Sequence, residues 1–213
     1  MSKNLKIYCF VEFLKKILLA DSLCRNLAVL PGVEQHVIRG ARLGSFTTKI
    51  DSGEISLKGM KAVLIHAGTN DMANTLDAGK VLSEMGALIR AIKRVCDTIH
   101  IVVSGLLPRL CDLDKSDVPV KDYNKMLCRV CRDRDVMVIR SYNAFTSGRE
   151  PRGVKEWLYA PDGLHLSVRG SFILSQVFRV QFSDRNVLTR RAYLDREAAS
   201  RLNREVNFGW CML

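Results

Sequence analysis

The fold is decided by residues 61–71, which read KAVLIHAGTND. The first six contain an apolar run over residues 62–65, which is typical of a strand buried on both faces of a parallel sheet. The last five are small or polar and predict a turn. Because open α/β sheets bind ligands at the carboxyl ends of their strands, we expect Gly68, Asn70 and Asp71 to lie near a functional site.

A second apolar strand is predicted over residues 15–21, and it leads into Ser22. Residues 23–30 predict a short helix that ends at the following Pro-Gly pair. The serine would then lie at the carboxyl end of a strand, with its own N–H in the first helical turn, where N–H groups lack partners and attract negative charge. The alternative is that Asp21 or Ser22 is only a helix N-cap.

Strands and helices alternate five times along the chain, which indicates a parallel sheet with helices on both faces. An amphipathic helix is clearest over 77–96, where apolar residues recur at spacings of three and four. The other predicted strands are 33–38, 99–104 and 136–139. A helical turn is predicted within 41–50, and further helices are predicted over 120–132 and 168–182. Loops are predicted over 110–119 and 143–159.

The composition gives the chain a strong positive charge, because 33 Lys and Arg outnumber 22 Asp and Glu by 11 among its 213 residues. Such an excess favours anionic partners, such as nucleic acid or an acidic membrane surface. Part of it lies in residues 121–155, which hold nine basic and four acidic residues. We predict one domain over 1–182 and a basic, partly helical tail over 183–213, with the helical pattern at 192–206.

The seven cysteines are irregularly spaced, so we expect reduced thiols rather than a disulfide framework. Glu12 interrupts the apolar run near the N-terminus, so we predict no signal peptide. No apolar run approaches the ~18 residues that a membrane span needs. Together these features predict an intracellular, cytoplasmic protein; the oligomeric state stays open.

Residues 162–165, Asp-Gly-Leu-His, offer what a nucleophilic serine needs. A base must remove the hydroxyl proton, and that base is usually a histidine oriented by a carboxylate. At this spacing Asp162 can reach His165 Nδ1 and leave Nε2 to face a serine. The oxyanion also needs donors, and both the Asn70 amide and the Gly40 N–H are candidates. Taken singly, Asn70 and Asp71 are better explained as a cap of the following helix, and His165 is better explained as an ordinary surface histidine.

Taken in order, four blocks resemble those of the SGNH (GDSL-type) serine hydrolases: ADSL at 20–23, Gly40, GTND at 68–71 and DGLH at 162–165. The resemblance spans residues 15–182, and the compact, basic chain is also similar to the esterase domains of some LINE-type retrotransposons. It implies a flavodoxin-like, three-layer α/β/α sandwich with a central, roughly five-stranded parallel sheet. It also implies hydrolysis of acetyl or lipid esters without a metal or other cofactor.

By the same resemblance, Ser22 is the nucleophile, His165 is the base and Asp162 orients the base. The oxyanion hole would consist of the Ser22 and Gly40 N–H groups and the Asn70 side chain. Supporting residues would be Asp21, Gly68 and Asp71.

Some alternatives remain open at this point. The family usually has glycine where this chain has Ala20, so Ser22 keeps its place only if φ at residue 20 is negative. Gly44 is a rival to Gly40 for the second block. The positive charge and Ala20 together favour an alternative function, in which a catalytically weak module of this fold binds RNA or another anionic partner. Acyl transfer to an acceptor other than water would use the same acyl-enzyme as hydrolysis.

Overall fold

The structure, a computed structural model, describes residues 14–132, 136–147 and 153–189. Five parallel strands form one sheet in the order β2-β1-β3-β4-β5. The strand that precedes Ser22 lies between two neighbours inside this sheet, so its carboxyl end is held on both sides. The strands are β1 (Lys16–Ala20), β2 (Val33–Val37), β3 (Ala62–His66), β4 (His100–Ser104) and β5 (Met137–Ile139).

Helices cover both faces of the sheet. They are α1 (Leu43–Asp51), α2 (Thr69–Thr75), α3 (Ala78–Val95), α4 (Leu113–Arg132) and α5 (Val168–Gln181).

Successive side chains of β1 point to opposite faces and join two separate cores. Ile17 and Leu19 pack in one core with the apolar sides of α1, α3 and α4. Leu18 and Ala20 pack in the other core with α5. The predicted three-layer sandwich with a five-stranded parallel sheet is therefore confirmed.

The helix predicted over residues 23–30 is wrong, since only a 3-10 turn forms there, over Ser22–Cys24. An isolated helix of eight residues is marginal, and tertiary contacts decide its fate. Here the Ala28 N–H donates to Ser175 Oγ on α5 at 3.0 Å, and Leu30 is buried. Because the residue before a proline avoids the helical region, Leu30 also cannot continue a helix into Pro31.

Two predicted non-helical segments are also wrong. Thr69–Thr75, predicted to begin in a turn, is the short helix α2. The loop predicted over 110–119 is instead a 3-10 turn followed by the first part of α4, which contains Pro119. Packing explains this proline, because Ser116 and Val120 beside it are completely buried. The carbonyl that loses its N–H partner belongs to Lys115, an exposed residue that water can reach.

Beyond α5, residues 184–189 are helical and pack against the domain. Val187 is buried in the same core as α5, and Asp184 forms an ion pair with the buried Lys16. The helical pattern predicted at 192–206 lies outside the described residues, and the domain boundary at 182 stays a prediction. Within the described ranges, no helix is long and apolar enough to cross a membrane.

Candidate active site

Ala20, the residue that departs from the family's glycine, is an ordinary strand residue. It is completely buried and pairs with Val37 of β2 and His66 of β3. Among the described residues Leu76 is the only non-glycine with a positive φ, so φ at Ala20 is negative. Alanine therefore imposes no backbone strain here, and Ser22 follows directly at the carboxyl end of β1.

Asp21 caps the turn that carries the serine. Its Oδ1 accepts a hydrogen bond from the Leu23 N–H at 3.0 Å, as an N-cap side chain does. Its other oxygen, Oδ2, is buried without a hydrogen-bond partner in the part of the chain that the structure describes. Burial raises the pKa of the Asp21 carboxyl to about 6, against the opposing effect of the Leu23 N–H. The capping alternative for Asp21 is thus correct, and it fixes the position of Ser22.

Ser22, His165 and Asp162 form a continuous chain of contacts. Ser22 Oγ lies 3.2 Å from His165 Nε2, and His165 Nδ1 lies 2.7 Å from Asp162 Oδ2. The other Asp162 oxygen accepts from the backbone N–H groups of Leu164 and His165, at 2.9 and 2.8 Å. The hydrogen bond to His165 and these two N–H groups hold the pKa of Asp162 at about 2. The carboxylate is therefore ionised at neutral pH and faces the imidazole.

Gly163 allows the histidine loop to pass close to another loop. Its φ is +65°, a left-handed conformation that favours glycine, and its carbonyl accepts from the Cys111 N–H at 3.0 Å. A Cβ at this position would lie 2.9 Å from the Cys111 nitrogen. Any side chain at residue 163 would therefore displace the loop that carries Asp162 and His165.

The second and third blocks of the sequence are joined by side-chain hydrogen bonds. Asn70 Nδ2 donates to the Ala41 carbonyl at 2.9 Å. Asp71 Oδ2 accepts from the Leu43 N–H at 3.1 Å, at the start of α1. These two contacts hold the loop containing Gly40 against the first turn of α2. The structure thus brings together Asn70 and the residue next to Gly40, as the position of their strands predicts.

The glycines of these blocks differ in their surroundings. Gly40 has a φ of +67° in the loop after β2, whereas its rival Gly44 lies inside α1. Gly68 has a φ of +115°, which favours glycine, and it is the N-cap of α2. Of the two candidates for the second block, Gly40 therefore follows the carboxyl end of a strand, whereas Gly44 does not.

Arg109 is a buried residue of this region to which the sequence assigned no role. Its Nη1 donates to the Thr69 carbonyl at 3.2 Å, and its guanidinium forms an ion pair with Asp112. It thereby ties the loop after β4 to the first turn of α2, next to Asn70. Its position after Pro108, at the carboxyl end of a strand, is the one sequence signal that pointed to it.

The three-layer α/β/α sandwich brings a serine, a histidine and an aspartate into contact at its carboxyl edge, in the order of contacts that nucleophilic serine chemistry requires. The chain belongs to the GDSL-like lipase/acylhydrolase family, whose sequence profile matches residues 17–171. Membership of this family supports ester hydrolysis as the general class of activity.

Two of the solved structures that match this chain agree on its fold. A carbohydrate esterase of family 3 from Talaromyces cellulolyticus is 13% identical, with a TM-score of 0.63 over 80% of this chain and 96% of that one. The lipase Lip_vut3 from a goat rumen metagenome is 18% identical, with a TM-score of 0.62 over 79% and 97%. The esterase domain of the ORF1 protein from the zebrafish ZfL2-1 retrotransposon is 24% identical, with a TM-score of 0.44 over 79% and 98%. No curated protein gives a significant match.

Proposed function

We propose that this chain hydrolyses carboxylic esters through an acyl-enzyme formed on Ser22. The observation that carries the proposal is the 3.2 Å contact between Ser22 Oγ and His165 Nε2, with Asp162 holding Nδ1 on the other side of the ring. A base within hydrogen-bond reach of the nucleophile, itself oriented by a third group, is what a serine hydroxyl needs to react.

The reaction takes place in two halves. Ser22 Oγ attacks the ester carbonyl while His165 Nε2 takes the hydroxyl proton. The tetrahedral intermediate then expels the alcohol, which receives that proton from His165 and leaves an acyl group on Ser22. A water molecule repeats the sequence, again with His165 as base, and releases the acid. Asp162 stays ionised throughout and stabilises the imidazolium that forms in each half.

The oxyanion of each intermediate is proposed to lie between the Ser22 and Gly40 N–H groups and the Asn70 amide. The hydrogen bond from Asn70 to the Ala41 carbonyl supports this assignment, because it fixes the amide beside the Gly40 loop. A donor that is held in place before the reaction needs no reorganisation when charge develops, and this is why such donors are effective.

We further propose that the substrate carries an apolar acyl chain. Trp157, Val168 and Phe172 are exposed apolar side chains, with 52%, 88% and 55% of their surface accessible. They adjoin the His165 loop: Val168 opens α5 three residues later, and Ser167 Oγ donates to the Trp157 carbonyl at 3.1 Å. An aryl octanoate should therefore react with a lower KM than the acetate, and Phe172→Ser should reduce this preference.

The test of the proposed function is hydrolysis of a short aryl ester by wild type and Ser22→Ala, with Ser83→Ala as a matched control at an exposed serine. We expect Ser22→Ala to lose activity on the order of 10⁴-fold or more, while the control keeps it. Equal turnover by Ser22→Ala would overturn the proposal. Product analysis with an added alcohol then distinguishes hydrolysis from acyl transfer.

A further inference from the structure

A second concave site lies at the β5 edge of the sheet, between α4 and the segment that follows β5. It is a cavity of about 440 Å³, within the range of ligand-binding pockets. Gly105 after β4 and Asn143 after β5 both line it. No member of the catalytic triad lines it. β3 and β4 separate this site from β1, which carries Ser22. Five of its lining residues are basic: Lys121, Lys125, Arg129, Arg132 and Arg140.

The described residues compensate the charge of this cavity only in part. No acidic residue lines it. Of the five basic side chains, the two lysines have acidic neighbours on α4 itself, with Lys121 Nζ 2.9 Å from Asp117 and Lys125 Nζ 3.5 Å from Asp122. The three arginines are exposed, and their side chains form no ion pair or hydrogen bond with any residue that the structure describes. Among the described residues, three guanidinium groups therefore line one cavity without a protein anion paired to them.

The basic residues of α4 form a row. Residues 121, 125, 129 and 132 lie on one face of the helix, because they are three or four positions apart. At 1.5 Å per residue this row is about 16 Å long. A single phosphate group could contact only part of it, whereas a chain of phosphates could follow it. Arginine suits this role, because its planar fork donates two parallel hydrogen bonds to phosphate oxygens.

We propose that this cavity, defined by Lys121, Lys125, Arg129, Arg132 and Arg140, binds the phosphodiester backbone of single-stranded nucleic acid. A positively charged groove that follows the backbone is the common feature of single-strand binding sites, and an aromatic ring is their usual base-stacking platform. Tyr142 is an aromatic ring among the lining residues; it packs partly buried against the core, and its hydroxyl donates to Asp117 Oδ1 at 3.0 Å, which holds the ring in place. A membrane surface fits less well, because none of the large apolar side chains that are exposed among the described residues lines this cavity.

The experiment compares fluorescence anisotropy of labelled 12-nucleotide RNA and DNA single strands with the full chain over a series of salt concentrations. The test variant carries Arg129→Gln, Arg132→Gln and Arg140→Gln. The control carries Arg90→Gln, Arg179→Gln and Arg185→Gln, which removes the same charge from exposed arginines outside the cavity. Circular dichroism verifies that both are folded.

We expect the test variant to bind at least about tenfold more weakly than the control in 0.15 M salt. Its slope of log affinity against log salt should be smaller by about 2, since each phosphate contact in a single strand contributes about 0.7. The RNA and DNA arms identify which backbone is preferred. Equal weakening of both variants would overturn the proposal, because binding would then follow net charge alone. Binding to anionic vesicles without binding to either oligonucleotide would overturn it too.

The rate of cysteine alkylation reports where on the protein the oligonucleotide binds. Cys128 lines the cavity and is half-buried, and Cys96 is equally half-buried at the end of α3, outside it. A bound strand should slow the alkylation of Cys128 by iodoacetamide and leave that of Cys96 unchanged, as followed by mass spectrometry. Equal rates with and without the oligonucleotide at saturation would place the strand elsewhere and refute the assignment of this cavity.

Discussion

Restoring the family's glycine by Ala20→Gly should weaken the fold and leave catalysis unchanged. The Ala20 methyl is completely buried in the core beneath α5, and burial of one such group is worth about 0.8 kcal/mol. Glycine within a strand costs a further 0.5–1 kcal/mol, roughly, because the unfolded chain gains freedom. The expected loss in the free energy of unfolding is therefore about 1.5 kcal/mol, or about 3–6 °C in Tm for a domain of this size.

Urea unfolding followed by circular dichroism measures the stability, and hydrolysis of an aryl ester measures kcat/KM. Ala62→Gly is the matched control, because Ala62 is also a completely buried strand residue but lies at the opposite end of β3 from the site. Both variants should lose similar stability and keep kcat/KM within about twofold. A tenfold rise in kcat/KM for Ala20→Gly alone, with stability unchanged, would mean that the methyl displaces Ser22, and it would refute the reasoning.

Three other predictions concern the site. Asp162→Asn should lower kcat/KM by about 10²–10³, the lower part of the range for general acid–base catalysis. The effect is at this end of the range because water can partly replace the exposed Asp162 side chain. Unchanged activity would contradict this prediction. Asn70→Ala should lower kcat by about 10²–10³ with little change in KM, and an effect on KM alone would exclude Asn70 as an oxyanion donor. Because folding raises the pKa of Asp21 from 3.8 to about 6, ionisation of Asp21 should destabilise the wild type as pH rises from about 4 to about 6, by at most about 3 kcal/mol. Asp21→Asn keeps an acceptor for the Leu23 N–H and should remove that loss; parallel curves of urea midpoint against pH would contradict it.

The sheet could be predicted because its strands carry local signals. Residues 62–65 are apolar without interruption, as a strand covered by helices on both faces requires, and the structure places all of them in β3. The helix over 77–96 was predictable for the same reason, since a regular apolar face identifies α3 to within a residue at each end. Both signals are local in the chain, so one sequence is enough to read them.

The errors lie where long-range contacts decide the local structure. Residues 23–30 have a helical composition, but the Ser175 side chain takes one of their N–H groups and the helix does not form. Pro119 indicates a loop, yet the buried residues on each side of it hold it inside α4. Arg109 escaped notice because its partner, the Thr69 carbonyl, is 40 residues away in the chain. No local pattern records any of these contacts.

The most direct test of the central claim is to treat the folded protein with a fluorophosphonate probe and locate the adduct by mass spectrometry. If Ser22 is a nucleophile activated by His165, the adduct forms on Ser22 of the folded protein. It does not form when the protein is denatured before the probe is added, and it does not form in His165→Ala. Labelling of a different serine, or equal labelling of Ser22 in His165→Ala, would contradict the claim that these two residues act together.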